Sequence, residues 1–95
     1  MSGDAYHMSA PSVDGDGAIR AMRMAIDKAK AHDIAIVTLQ DCTHTGRLGE
    51  YVVLAAERGY AGLMICNGTA RGGIVAPYGG TARALGSNPI AWAVP

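Results

Sequence analysis

The chain of 95 residues has no phenylalanine, and one tryptophan and four tyrosines are its only aromatic residues. A chain of this length forms at most one small domain with one modest core. Apolar residues still make up 49% of the sequence, and 13 glycines accompany many alanines. This mixture favours closely packed backbones and glycine-rich loops, and its apolar content excludes an intrinsically disordered chain.

Neither sign of charge is in excess, because eight Lys and Arg residues balance eight Asp and Glu residues. Without a basic patch, no nucleic acid and no anionic membrane is predicted as a partner. No apolar run approaches the roughly 20 residues of a membrane span, and the first residues lack the pattern of a secretory signal. Two cysteines, Cys42 and Cys66, are too few for a disulfide scaffold. We therefore expect reduced thiols and a cytoplasmic protein.

The order of the remaining patterns predicts an α/β fold of the α+β-like kind, with a mixed sheet covered by helices. Residues 1–17 are polar and glycine-rich, so they are predicted to form a flexible N-terminal segment. Residues 18–95 are predicted to form a partial domain in the order helix, strand, helix, strand, glycine-rich loop, strand. The first helix is expected at about 16–31, and the strands are expected at 34–39, 61–66 and 90–94, the first two of them buried.

Helical spacing of apolar residues carries both helix predictions. In the first helix the apolar face is Ile19, Met22, Ile26 and Ala29, and in the second it is Leu48, Tyr51, Val52, Ala55 and Ala56. Thr43 or Thr45 is a candidate N-cap of the second helix. Gly59 stands where a glycine ends a helix.

His44 lies between a predicted strand and the first turn of a predicted helix. Ligands of α/β proteins gather at such strand ends, and the positive end of a helix dipole disfavours a second charge on the ring. A neutral imidazole there can exchange a proton with a substrate hydroxyl near neutral pH. The alternative is a histidine that only caps the helix. Of the other histidines, His7 lies in the flexible segment, and His32 ends a helix where a cation is favourable.

The spacing of Cys42, His44 and Cys66 fits no zinc pattern, so no metal site is predicted. Cys42 as a nucleophile needs a base on another element, and a histidine two residues away is poorly placed. The segment "NGTARGGIVAPYGGTARALGSNP" offers backbone N–H groups, with Arg71 and Arg83, for a phosphate. It contains neither a P-loop nor a Rossmann fingerprint, and glycines in a long loop also serve simply as turn formers.

Four segments in order, "THTGRLGEY", "AAERGYAGLMICN", "VAPYGG" and "LGSNPIAWAVP", resemble the malate/L-lactate dehydrogenase family of the non-Rossmann type. Sulfolactate dehydrogenase, ureidoglycolate dehydrogenase and piperideine-2-carboxylate reductase are among its members. Together with "VDGDGAIRAMRMAIDKAKAHDIAIV", the resemblance extends over residues 13–95. Several short motifs in the correct order are more specific than any one of them.

The resemblance implies a non-Rossmann NAD(P)-binding architecture, with NAD or NADP as cofactor and interconversion of a small 2-hydroxy acid and a 2-oxo acid. His44 matches the family's acid/base histidine. The positions that match the cofactor side of the site are Asn67, Gly68, Gly86, Ser87, Asn88 and Pro95. Ser87 stands where threonine is commoner, and Arg47 is either a site residue or a solvated cation. The relatives form dimers, so a homodimer is expected of the full-length protein.

Members of this family are several times longer than 95 residues, so the chain is expected to correspond to an internal fragment of the enzyme. Alone, such a piece has little core to offset its conformational entropy, and it is expected to be inactive unless completed. The alternative is a non-enzymatic or inactive truncated domain that uses its glycine-rich loop or its sheet edge for binding. A third, weaker hypothesis is a thiol or metal protein that uses Cys42 and Cys66.

Overall fold

The computed structural model describes residues 5–9, 16–40, 44–68 and 73–95 of the chain. These residues form a small unit of helices and strands that is compatible with an α/β fold. The elements in chain order are β1 (Ala5–Ser9), α1 (Asp16–His32), β2 (Ile36–Gln40), α2 (Gly49–Ala56), β3 (Gly62–Ile65) and β4 (Ile90–Ala93).

Helix α1 confirms the helix predicted at about 16–31. Asp16 lies in its first turn, and Lys30 and His32 lie in its last turn, an arrangement that complements the helix dipole. Of the predicted apolar face, Ile26 and Ala29 are buried. Ile19 and Met22 are only half-buried, because the buried stripe continues through Ala18 and Ala21 instead. Alanines on this face allow close packing of α1 against α2 and β2.

Helix α2 supplies the most deeply buried part of the core. Val52 is 1% exposed, Ala55 2% and Tyr51 5%. The predicted threonine N-cap is wrong for Thr45: Leu48 holds the N-cap position, in a helical conformation and without a side-chain cap. Burial of Leu48 accounts for the difference, since the apolar side chain joins the core one residue before the helix. Thr43 lies outside the described residues.

Gly59 ends the α2 turn as predicted, with a φ of 84°. The N–H of Gly59 donates to the carbonyl of Ala56, and the N–H of Tyr60 donates to the carbonyl of Ala55, both at 3.0 Å. This pair of bonds is the Schellman motif, in which a left-handed glycine satisfies the last carbonyls of a helix. The helix therefore ends before Gly59, and the chain continues into β3, which packs against α2.

The predicted strands are present, but they do not form the single mixed sheet that was expected. Within the described residues there are two two-stranded sheets: β1 pairs with β2 in parallel, and β3 pairs with β4 in antiparallel. The partner of β2 is therefore β1, a strand that lies within the segment expected to be a flexible loop. The five residues of β1, AYHMS, are too few to give a strand pattern within a segment that is polar and glycine-rich as a whole.

The burial predicted for the first two strands is also wrong, because Ile36 of β2 and Leu63 and Ile65 of β3 are exposed. In the described part of the chain, β3 and its partner β4 each leave one face uncovered. Leu63 pairs with Trp92 and Ile65 with Ile90 across the strands, and all four side chains are more than 60% exposed. Smaller residues on the other face, Gly62, Ala91 and Ala93, are buried or half-buried. Met64, paired with Ala91 on the same face, is also half-buried, and through this face the sheet packs against α2.

Gly62 is the tightest point of this packing. A Cβ there would lie 2.9 Å from the Cβ of Ala55 and 3.0 Å from the carbonyl oxygen of Val52. We expect Gly62→Ala to lower the free energy of unfolding by about 1–3 kcal/mol, because the backbones must move apart. Gly49→Ala is the matched control, since its Cβ meets only the flexible end of Arg47 at 3.5 Å. Chemical denaturation of both variants checks the prediction, and equal stability would contradict it.

Candidate active site

The antiparallel pairing of β3 and β4 brings together two segments that the sequence marked as cofactor-binding. Asn67 and Gly68 follow the end of β3, and Gly86, Ser87 and Asn88 precede the start of β4. Because antiparallel partners run in opposite directions, the end of one strand lies beside the start of the other. The N–H of Gly68 donates to the Ser87 carbonyl at 3.0 Å.

Gly86 makes the closest backbone approach in this group. A Cβ on Gly86 would lie 2.2 Å from the carbonyl oxygen of Gly68, so no other residue fits without displacement of the backbone. The Asn88 side-chain amide donates to the Gly86 carbonyl at 3.3 Å, which holds the turn from the other side. We call this packing of residues 67–68 against residues 86–88 the Gly68–Asn88 contact. Backbone atoms form it, so it is part of the fold itself.

Pro95, the remaining predicted cofactor residue, lies elsewhere. It follows the end of β4, whose last residue, Ala93, pairs with Gly62 at the start of β3. The strand thus separates Pro95 from the Gly68–Asn88 contact.

The described part of the glycine-rich loop, residues 73–85, folds back on itself as a small hairpin. Val75 and Leu85 form an antiparallel bridge, and the N–H of Ile74 donates to the Leu85 carbonyl at 2.8 Å. Gly73, with a φ of 66°, lies against the backbone of Ala84. Gly73 therefore allows a close approach of two backbone segments, and Gly79, with a φ of 76°, forms the turn. Arg83 is exposed, and Arg71 lies outside the described residues.

His44 is exposed and lies in the segment just before α2. Its Nδ1 accepts a hydrogen bond from the N–H of Gly46 at 3.1 Å. Gly46 has a φ of 73°, a conformation that glycine adopts without a steric cost. Since a neutral imidazole has one acceptor and one donor nitrogen, the ring hydrogen is on Nε2 in this arrangement. Neutral His44 therefore offers an N–H donor to a ligand.

Tyr51 supports this segment from within the core. Its hydroxyl donates to the carbonyl of Thr45. Burial raises the pKa of the Tyr51 hydroxyl, and the nearby carboxylates of Glu50 and Asp16 raise it further, so it remains a donor at neutral pH. From the sequence, Tyr51 was predicted only to be a core residue of the second helix. Tyr51 is the tyrosine of "THTGRLGEY", the segment that also contains His44. This shared segment is the sequence signal that could have indicated a contact between Tyr51 and the residues beside His44.

Helix α2 connects the two parts of the site. The segment that carries His44 leads into α2, and α2 packs against both β3 and β4. Residues 67–68 follow β3 and residues 86–88 precede β4.

No group of three or more His, Cys, Asp or Glu side chains that could hold a metal ion is present among the described residues. Cys66 is a free, half-buried thiol, and Cys42 lies outside the described residues. Within the same part of the chain, no helix has the length and apolar character needed to cross a membrane. Arg47 is exposed, and its guanidinium lies near Gly49.

Comparison with known proteins decides the family. The family model described as malate/L-lactate dehydrogenase matches residues 13–95, which include every residue named above for the site. The chain belongs to the malate/L-lactate dehydrogenase family. The family match agrees with the resemblance of the four sequence segments. His44, Tyr51 and the Gly68–Asn88 contact all lie within the matched residues.

Three relatives illustrate the match. The chain is similar to a malate dehydrogenase of Pyrococcus abyssi, with 43% identity over 76 residues. It is also similar to a malate dehydrogenase of Pyrococcus horikoshii, with 42% identity over 89 residues. An L-lactate dehydrogenase of Cupriavidus necator is 38% identical over 88 residues. These alignments cover 80%, 87% and 86% of the chain but 20%, 24% and 25% of the relatives. The chain thus spans about a fifth to a quarter of their length.

Proposed function

We propose that this chain carries part of the active site of an NAD(P)-dependent dehydrogenase that interconverts a small 2-hydroxy acid and a 2-oxo acid. The observation that carries the proposal is His44, an exposed imidazole whose orientation is fixed by the Gly46 N–H at 3.1 Å. Relatives named malate dehydrogenase and L-lactate dehydrogenase support the reaction class. They also support a substrate with a carboxylate beside the reacting carbon.

The Gly68–Asn88 contact fits the neutral part of a nicotinamide cofactor. The side chains of Asn67, Ser87 and Asn88 are exposed, and they carry amide and hydroxyl groups that both donate and accept hydrogen bonds. Such groups match the carboxamide and the ribose hydroxyls of the cofactor, and Gly68 and Gly86 allow close backbone approach. When bound, the nicotinamide supplies or accepts the hydride.

His44 holds the proton that accompanies the hydride. In the oxidation of a 2-hydroxy acid the ring accepts the hydroxyl proton, and in the reduction of a 2-oxo acid it returns a proton to the new oxygen. Its exposure lets the ring exchange that proton with water between turnovers. Cys66, as a half-buried free thiol, has no part in this chemistry.

A substrate screen tests the proposal. The protein, purified as its source cells make it, is mixed with NADH or NADPH and a series of three- and four-carbon 2-oxo acids. We expect loss of the reduced cofactor with at least one acid, at a turnover of roughly 1–1000 per second. Lack of oxidation with every acid and both cofactors, in protein that is folded and binds either cofactor, would contradict it. The same series with plain ketones, which lack the carboxylate, is the matched control.

A further inference from the structure

One peptide group connects the buried Tyr51 with the exposed His44. The carbonyl of Thr45 and the N–H of Gly46 belong to the same planar unit. Tyr51 donates to the oxygen of this peptide, and the nitrogen of the same peptide donates to His44 Nδ1 at 3.1 Å. Because C=O and N–H point in opposite directions across a trans peptide, holding the oxygen also aims the N–H.

The two ends of this connection differ in burial. Tyr51 is 5% exposed and lies on α2, next to Val52 in the core. Gly46 is exposed, and its φ of 73° places the peptide in the left-handed region that glycine tolerates. Hydrogen bonds in series also polarise one another, so a bond at the Thr45 carbonyl strengthens donation by the Gly46 N–H. The core thereby positions a group on the surface.

We propose that Tyr51 is a positioning residue which, through the Thr45–Gly46 peptide, fixes neutral His44 as the tautomer with its hydrogen on Nε2. This deepens the proposed function and rests on it for its catalytic meaning. In this tautomer His44 presents an N–H donor, the group that a carbonyl oxygen accepts. The resting site is therefore set to bind a 2-oxo acid.

The same geometry assigns a route to the proton in reduction. A proton from water adds to Nδ1, and the Gly46 N–H contact is given up because Nδ1 no longer has a free lone pair. His44 gives its Nε2 proton to the carbonyl oxygen of the 2-oxo acid. A bound nicotinamide would supply the hydride to the carbonyl carbon, so that the carbonyl π pair becomes the oxygen lone pair that takes the proton. The ring is left with its hydrogen on Nδ1, and this is the form in which Nε2 accepts the hydroxyl proton in the oxidation direction. Exchange with water returns it to the Nε2–H form, so each turnover consumes one hydride and one proton.

Nitrogen NMR of the imidazole rings tests the inference in the whole protein. In wild type at a pH where His44 is neutral, we expect at least a ninefold excess of the Nε2–H tautomer. We also expect the amide proton of Gly46 to shift when His44 is protonated. Tyr51→Phe removes the hydroxyl and keeps the ring, and it is expected to reduce the tautomer excess at least threefold. Tyr60→Phe is the matched control, since Tyr60 is a half-buried tyrosine just after α2, and it should leave the spectrum unchanged.

Kinetics separates positioning from a purely structural role. Because the Gly46 contact is made in the resting tautomer and is given up before the proton is transferred, we expect Tyr51→Phe to raise KM for the 2-oxo acid by up to about threefold. We expect kcat for reduction to stay within about twofold, the pattern of an interaction that acts on substrate binding. A predominant Nδ1–H tautomer of His44 in wild type would overturn the inference. So would a Gly46 amide proton whose chemical shift does not change when His44 is protonated. Both measurements are made on the wild-type protein, so neither depends on the folding of a variant. The spectrum decides the positioning claim even if the substrate screen fails, so the two proposals fail separately.

Discussion

His44→Ala is expected to lower turnover by a factor of about 100–10,000, the range that general acid–base catalysis contributes. The side chain is exposed and makes its described hydrogen bond to the backbone of Gly46, so its removal takes away little packing. Cofactor affinity should stay within about twofold, because the Gly68–Asn88 contact is formed by other segments of the chain. Steady-state kinetics and a cofactor titration measure both effects.

His32→Ala is the matched control for that variant. His32 ends α1, on a different element from the candidate site, so the substitution is expected to change stability and to leave turnover per folded molecule within about twofold. If His44→Ala retains more than a tenth of wild-type turnover, the acid/base assignment is wrong. If both variants lose turnover equally, the loss is due to unfolding. Circular dichroism, which measures the folded fraction of each variant, tests this.

Gly86→Ala is expected to lower the free energy of unfolding by about 2–3 kcal/mol and to weaken cofactor binding at least tenfold. Its Cβ would lie 2.2 Å from the Gly68 carbonyl oxygen and 2.9 Å from the carbonyl carbon. These are backbone atoms, so relief requires that the two segments separate. That separation moves Ser87 and Asn88 away from Gly68, and the proposed cofactor contacts are lost with the packing.

Gly68→Ala provides the stability control within the same contact. Its Cβ would meet the nearest atoms of Ser87 at 3.5 Å, an ordinary van der Waals distance, and it is expected to change the free energy of unfolding by less than about 0.5 kcal/mol. Thermal or urea unfolding compares the two variants. Similar stability of Gly86→Ala and Gly68→Ala would show that the approach of the two backbones is looser than described.

Local signals made much of this fold predictable. Helical spacing gave α1 within a residue of each end, and the glycine at position 59 marked the end of α2 because only a left-handed residue closes a Schellman motif easily. Apolar runs located β2, β3 and β4. Each of these signals is read within a few residues of the chain, where the physics is local.

The pairing of strands was not predictable in the same way. Strand β1 is only five residues long, AYHMS, and its conformation depends on its partner β2. The antiparallel pairing of β3 with β4 depends on how residues 66–89 connect them. The single mixed sheet was wrong for this reason. Exposure of Leu63 and Trp92 likewise depends on what packs against the sheet, which no window of sequence contains.

The candidate site was likewise predictable only in part. The motif indicated His44, and the family match over residues 13–95 supports the assignment of the chain. The hydrogen bond from Gly46 to Nδ1, and the Tyr51 hydroxyl behind it, depend on the backbone conformation of two residues. Sequence spacing alone places Tyr51 on the buried face of a helix, and only the fold shows that its hydroxyl reaches the peptide next to His44.

Isotope transfer tests whether the protein catalyses hydride transfer from a nicotinamide to carbon 2 of a 2-oxo acid. The protein is given reduced cofactor with deuterium at the transferring position of the nicotinamide, together with the 2-oxo acid that is most active in the screen. We expect a 2-hydroxy acid with one deuterium bound to carbon 2 and no solvent-derived hydrogen at that carbon, while the hydroxyl proton comes from water. A product whose carbon 2 carries hydrogen from solvent, formed as the cofactor is oxidised, would contradict it.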